Sequence, residues 1–176
     1  APVKGTVLVK LKGKNKFVPL TAGTQVPLGS TFDTTRGTVA LDTSAGAGKP
    51  LQHGQFNGGQ FMVKQSRKNP LTTLSMTGGG LNKCKARLPK GGAPKKRTRT
   101  LFSSVKGHFS TRGRNSTATV RGTQYTVTDS CAGTLTIVKQ GTVVVRDFTL
   151  RKNKKLKAGQ RYFARAPRTA QRRGNR

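Results

Sequence analysis

STATVRGTQYTVTDSCAGTLTIVKQGTVVVRDF, residues 116–148, is the most regular part of the chain. It holds three runs, TATVRGTQYTVTD, GTLTIVK and GTVVVRDF, with Gly and Ser at the breaks. Within each run apolar and polar residues alternate, and Val, Ile, Thr and Tyr dominate. A period of two sends successive side chains to opposite faces of a pleated strand. Each run therefore predicts a strand with one buried face. The fold class that follows is all-β: an antiparallel sandwich or roll of short strands with long basic loops and essentially no helix.

Outward from this stretch the same grammar recurs. Residues 5–11 (GTVLVKL), 31–34, 37–42 and 71–77 read as strands. Residues 17–20 contain Pro19, which confines them to an edge or a short strand. Residues 55–65 (QFNGGQFMVKQ) read as a hairpin turning at Gly58-Gly59. Strand character resumes at 101–113. Beyond residue 148 the pattern predicts a Lys-rich turn at 152–155 and a closing strand at 160–164. No ten-residue window combines a 3.6-residue period with helix caps. Gly-Thr followed by alternating β-branched residues returns at 5–9, 37–41, 133–137 and 141–145. The spacing is uneven, so this is hairpin grammar rather than a solenoid period. The chain divides into an N-terminal β half (1–77), a Gly/Pro/Lys-rich basic excursion (78–100), a C-terminal β half of the same domain (101–164) and a basic tail (165–176).

Charge is the extreme property. The chain has 35 Lys and Arg against 4 acids, a net +31, and a sequence pI near 11.9. The acids are Asp33, Asp42, Asp129 and Asp147, and no Glu is present. A compact body with that charge repels itself and attracts polyanions. The cations are densest in two acid-free runs. The first contributes Lys83, Lys85, Arg87, Lys90, Lys95, Lys96, Arg97 and Arg99. The second contributes Lys152, Lys154, Lys155, Arg168, Arg172, Arg173 and Arg176. Such tracts bind phosphates by releasing counterions and need no base reading, so these residues are the expected polyanion-binding set. Aromatic residues are few and Trp is absent, so base stacking has little to build on.

Cys84 and Cys131 are the only cysteines, with no CxxC and no Cys/His cluster to indicate a metal site. In an exported chain one pair is most simply a disulfide, which would pin the basic excursion to the C-terminal half; the other reading is two buried thiols. No apolar segment approaches the length of a membrane-spanning helix. The chain begins Ala1-Pro2-Val3, which reads as a mature end left by cleavage at a small residue. A catalytic constellation is missing. His53 and His108 are far apart, Ser103, Ser104 and Ser130 have no base beside them, and the glycines at 78–80 precede no Lys-Ser/Thr pair. No enzymatic activity and no cofactor are expected.

The run Val120-Arg121-Gly122-Thr123-Gln124-Tyr125 resembles the VRGT-x-aromatic signature of FecR-like extracytoplasmic domains. The likeness continues in Gly141-Thr142-Val143-Val144-Val145 and Lys157-Ala158-Gly159-Gln160, and in the N-terminal Gly5-Thr6-Val7, Leu20-Thr21-Ala22-Gly23 and Pro27-Leu28-Gly29-Ser30-Thr31. It spans roughly residues 3–164. The resemblance implies an exported, non-enzymatic all-β domain, with Gly122 at a bend and Tyr125 packed inside. Composition and resemblance together predict a secreted structural or binding module. It would act at the cell surface or in an extracellular filament-type assembly, self-associate through strand pairing and engage an anionic polymer, either nucleic acid or cell-wall polyanion. The alternatives are an intracellular, sequence-independent nucleic-acid binder and a FecR-type sensor domain.

Overall fold

The computed structural model describes residues 1–66, 70–84 and 97–167. The described residues form twelve strands and one 3₁₀ turn, Leu81–Lys83. The strands are β1 (Pro2–Lys10), β2 (Val18–Pro19), β3 (Thr31–Thr43), β4 (Gln52–Asn57), β5 (Gln60–Gln65) and β6 (Thr72–Thr77). After the excursion come β7 (Thr98–Arg112), β8 (Ser116–Ser130), β9 (Gly133–Gln140), β10 (Thr142–Asp147), β11 (Asn153–Lys157) and β12 (Arg161–Arg165). The fold is all-β, as the alternation predicts, and one sheet closes on itself as a barrel-like sandwich.

Three long strands make the closure possible, because each pairs with a different neighbour in its two halves. β3 pairs residues 38–43 with β4 and residues 31–33 with β5. β7 pairs residues 102–106 with β4 and residues 109–112, in parallel, with β6. β8 pairs residues 124–129 with β9 and residues 116–120 with β10. One layer is thus β5, β6, the end of β7, the start of β8, β10 and β11. The other is β4, the start of β7, the end of β8, β9 and β12. The long strands pass from one layer to the other at glycines. Gly5 (φ 68°) faces Gly37 in the β1–β3 pair, where a Cβ on Gly37 would lie 2.7 Å from the backbone oxygens of Lys4 and Thr6. In the β7–β8 pair the bend falls at Gly107 and Gly122, with a register shift between Val105 and His108.

The same plan is used twice. β3 divides its inner edge between β4 and β5, β5 leads to β6, and β7 covers β4. β8 likewise divides between β9 and β10, β10 leads to β11, and β12 covers β9. The sequence echoes this. Lys4-Gly5-Thr6-Val7 matches Lys106-Gly107-His108-Phe109, Arg36-Gly37-Thr38 matches Arg121-Gly122-Thr123, and Asn57-Gly58 matches Gln140-Gly141. β7 belongs to both units, closing the first and opening the second.

Two expectations about single segments are corrected. Residues 55–65 are not a hairpin: β4 and β5 do not pair with each other, and the chain at Gly58-Gly59 crosses between layers. Residues 153–157 are a strand rather than a turn, because Leu156 is buried and β11 is in register with β10 throughout.

The apolar face of every strand converges on one core. In the first unit Phe32, Phe56, Phe61 and Phe109 meet with ring centroids 5.5–5.8 Å apart. In the second, Tyr125, Val127, Val138, Val143, Val145 and Leu156 are buried. The Tyr125 hydroxyl pairs with Thr111 Oγ1 at 2.8 Å, and burial pushes the phenol pKa up to about 12. The excursion is rooted beside this core. Leu81 is buried, Cys84 is bonded to Cys131, and Arg114 donates through Nη1 to the Leu81 carbonyl at 2.8 Å.

Asp129 holds that root together. Its carboxylate is fully buried and accepts from Arg99 Nε (2.9 Å) and Nη2 (2.7 Å), from Thr134 Oγ1 (2.5 Å) and from the Arg114 amide (3.1 Å). Removing one partner of a buried pair leaves the other charge uncompensated, at a cost of about 3–5 kcal/mol. Asp129→Ala is expected to lower the unfolding free energy by that amount in a urea titration. A change under about 1 kcal/mol would show that the network contributes little.

Candidate polyanion-binding face

Strand alternation decides which cations reach solvent together. In β5, β6, the end of β7, the start of β8, β10 and β11, the residues between buried ones point away from the core. Cross-strand registers place Met62, Ser75, Arg112, Thr117, Arg146 and Asn153 in one row across the layer. The neighbouring row is Lys64, Thr73, Ser110, Thr119, Val144 and Lys155. His108 faces Arg121, and Thr142 faces Lys157, at the next level. Adjacent strands lie about 4.8 Å apart, so Arg112 and Arg146 are roughly 10 Å apart and the face extends about 24 Å.

Lys64, Arg112, Arg121, Arg146, Lys155 and Lys157 are all exposed on this face. The one acid in these strands is Asp147, which points inward, is buried, and accepts from the Leu150 amide (2.8 Å) and the Tyr162 hydroxyl (2.9 Å). Two guanidinium groups are pre-oriented. Arg112 stacks on the Phe148 ring, its Cζ 4.9 Å from the centroid, and Arg146 Nη1 reaches Asn153 Oδ1 at 3.4 Å. A shallow hollow of about 610 Å³ opens where Lys64, Thr73, Ser75 and Arg112 meet.

The other acids are also engaged, and Asp33 is the one that shares the outer side of this layer, opposite Gln60 of β5. Asp129 is used by Arg99. Asp42 meets His53 Nδ1 at 2.6 Å, with both side chains exposed, in the β3–β4 pair of the opposite layer. Burial pushes the Asp33 carboxyl up, but hydrogen bonds from Thr35 and Gln60 and the charge of Arg36 outweigh it and hold the group below its ordinary value. The opposite layer carries basic residues too, but its outer face also presents Phe102, Ile137 and Phe163.

Of the expected binding set, Lys152, Lys154 and Lys155 are exposed at or beside β11. Arg97 donates to the Gly80 carbonyl at 3.1 Å, at the root of the excursion. Arg99 is turned inward: its side chain is 13% exposed and is committed to Asp129 rather than offered to a ligand. The backbone of Lys83 ends the 3₁₀ turn, but its side chain lies outside the described residues, as do Lys85, Arg87, Lys90, Lys95, Lys96, Arg168, Arg172, Arg173 and Arg176. Reading dense runs along the chain missed Lys64, Arg112, Arg121 and Arg146, which are isolated in sequence and gathered by pairing. Their signal was a cation at an outward position of each alternating run.

Of the serines named above, Ser130 donates through Oγ to the Gly133 carbonyl at 3.1 Å. Ser103 is buried, and His53 is engaged by Asp42. Among the described residues no group of three or more His, Cys, Asp or Glu side chains could hold a metal. Nor is any described helix long and apolar enough to cross a membrane. Comparison with protein-family models, with curated proteins and with solved structures finds no match for this chain.

The face leaves a mark on His108, whose pKa lies below the ordinary 6.5, first because burial disfavours the imidazolium and then because of the Arg121 charge. The neutral form is therefore favoured in the folded state. His108 contributes stability that disappears as pH falls below 6.5 and the unfolded chain takes up the proton more readily. A proton NMR titration should give His108 a pKa below 6.5, moving part of the way back in Arg121→Gln. An unperturbed value in the wild type would remove this evidence for positive potential at the face.

Proposed function

We propose that the protein is a non-catalytic, secreted binding module that holds a linear polyanion by electrostatic contact on the cationic face of its first layer. The observation that carries this reading is the segregation of charge. Outward-facing cations from five strands share one side of the sheet, and the two acids in those strands, Asp129 and Asp147, are turned into the core. At physiological salt the screening length is about 8 Å, comparable to the spacing between neighbouring cations, so their fields reinforce one another over the face. A polyanion that neutralises several of them gains from counterion release. Secretion is supported by the Cys84–Cys131 bridge, which is at home in an oxidising compartment, and by the resemblance to FecR-like extracytoplasmic domains.

Self-assembly by strand pairing has less to support it. Among the described residues the open sheet margins are residues 2–6 of β1, which include Pro2 and Lys4, β2, which contains Pro19, and β11 and β12, which carry Lys154, Lys155, Lys157, Arg161 and Arg165. Pro and Lys at a margin are the usual means of discouraging edge-to-edge addition. The module acts as a single body on its polymer, and any higher order comes from several copies on one chain of anions.

Binding to polyphosphate should weaken linearly on a log–log plot of affinity against salt. The triple variant Arg112→Gln/Arg121→Gln/Arg146→Gln should reduce the slope by roughly 0.7–0.9 for each phosphate that is no longer neutralised. Salt-independent binding, or a slope unchanged in the variant, would contradict the assignment.

A further inference from the structure

The cationic face also carries information about which polyanion it fits. Three of its properties act against a nucleic acid. It is the outer side of a sheet, and no helix of the described residues stands out from it to enter a groove. No aromatic ring is displayed for base stacking, since Phe148 lies under Arg112 and the exposed Phe102 and Phe163 belong to the opposite layer. Most of the side chains between its cations bear hydroxyl groups. Thr117 lies between Arg112 and Arg146 in one row, and Thr73, the buried Ser110, Thr119 and the exposed Val144 lie between Lys64 and Lys155 in the next.

That interleaving has a chemical meaning. A hydroxyl both donates and accepts, whereas Lys and Arg only donate. A surface meant for phosphates alone gains nothing from acceptors. A surface that sets donor–acceptor groups between its cations suits a polymer that carries hydroxyls of its own between its anions. The guanidinium groups of Arg112, Arg121 and Arg146 suit phosphodiester and carboxylate equally, since both accept a two-pronged hydrogen bond.

We infer that the ligand is a base-free, hydroxyl-rich linear polyanion, an anionic glycopolymer whose charge is phosphodiester or carboxylate, laid across the strands from Lys64 to Lys155. The inference rests on the polyanion-binding reading above and narrows it to one class. The cations supply the attraction, and Thr73, Thr117 and Thr119 supply the selectivity.

The test compares three labelled polymers of equal charge by fluorescence anisotropy at about 0.15 M ionic strength: poly(glycerol phosphate), polygalacturonate and oligo(dT). At least one of the first two should bind about tenfold more tightly than oligo(dT), and which one leads identifies the anion. The variant Thr73→Val/Thr117→Val/Thr119→Val keeps shape and β-propensity while removing the hydroxyls. It should lose most of that preference with the oligo(dT) affinity unchanged; a melting curve matching the wild type shows that it is folded. Tighter binding of oligo(dT), or an equal effect of the variant on all three polymers, overturns the inference and leaves the polyanion reading standing. Failure of all three polymers to bind overturns both.

Discussion

The buried carboxylate of Asp129 is the contact on which the second half of this molecule depends. It sits where β7, β8 and β9 come together and where the excursion leaves and re-enters the sheet. Four donors from three segments converge on it, and two of them belong to Arg99. With so few acids in the chain, burying one against a cation at the core boundary makes sense only if its position matters. What it secures is the turn at 113–115, the start of β9 and the approach of Cys131 to Cys84. The bridge closes a separation of 47 residues, and in the chain-entropy model that constrains the unfolded chain by about 4 kcal/mol. Carboxylate and disulfide together anchor a segment that has little apolar surface to anchor itself.

The same logic runs through the remaining acids. Asp147 is buried under Tyr162, and Asp33 and Asp42 are occupied by neighbours. The interior and margins consume most of the negative charge, and the outer surface of β5, β6, the end of β7, the start of β8, β10 and β11 carries cations with no acid among them. Such a surface is possible because the long strands bend at glycines and send their two halves into different layers. Without the bends at Gly37 and Gly122 the cations of β8 and β10 would not share a face with those of β5 and β7. The doubled plan, with β7 common to both units, makes that face wide enough to meet an extended polymer.

Much of the fold was legible because a period of two is a direct consequence of burying one side of a strand. The runs in residues 116–148 became β8, β9 and β10, Tyr125 is packed, and Cys84 is bonded to Cys131. The misreadings share a cause. Gly58-Gly59 has the local chemistry of a hairpin, but β4 and β5 find better partners in β3, β6 and β7, and that choice is made by distant segments. Residues 152–155 look like a turn because they are all Lys and Asn, yet one buried side chain beside them, Leu156, and a full ladder to β10 suffice for an edge strand. The face was illegible for a similar reason. A dense basic run is visible along a sequence, whereas six cations drawn from five strands become neighbours only once pairing and register are known. Arg99 shows the converse, a cation inside a basic run that the fold turns inward.

The most direct test of the account is a map of where a polyanion lands. Backbone amide chemical shifts of the isotope-labelled chain, followed through a titration with polyphosphate, report this residue by residue. The perturbed amides should lie in β5, the end of β7, the start of β8, β10 and β11, with β4, β9 and β12 unaffected. Perturbations confined to 85–96 and 168–176, or centred on the Phe102–Ile137–Phe163 surface, would contradict it.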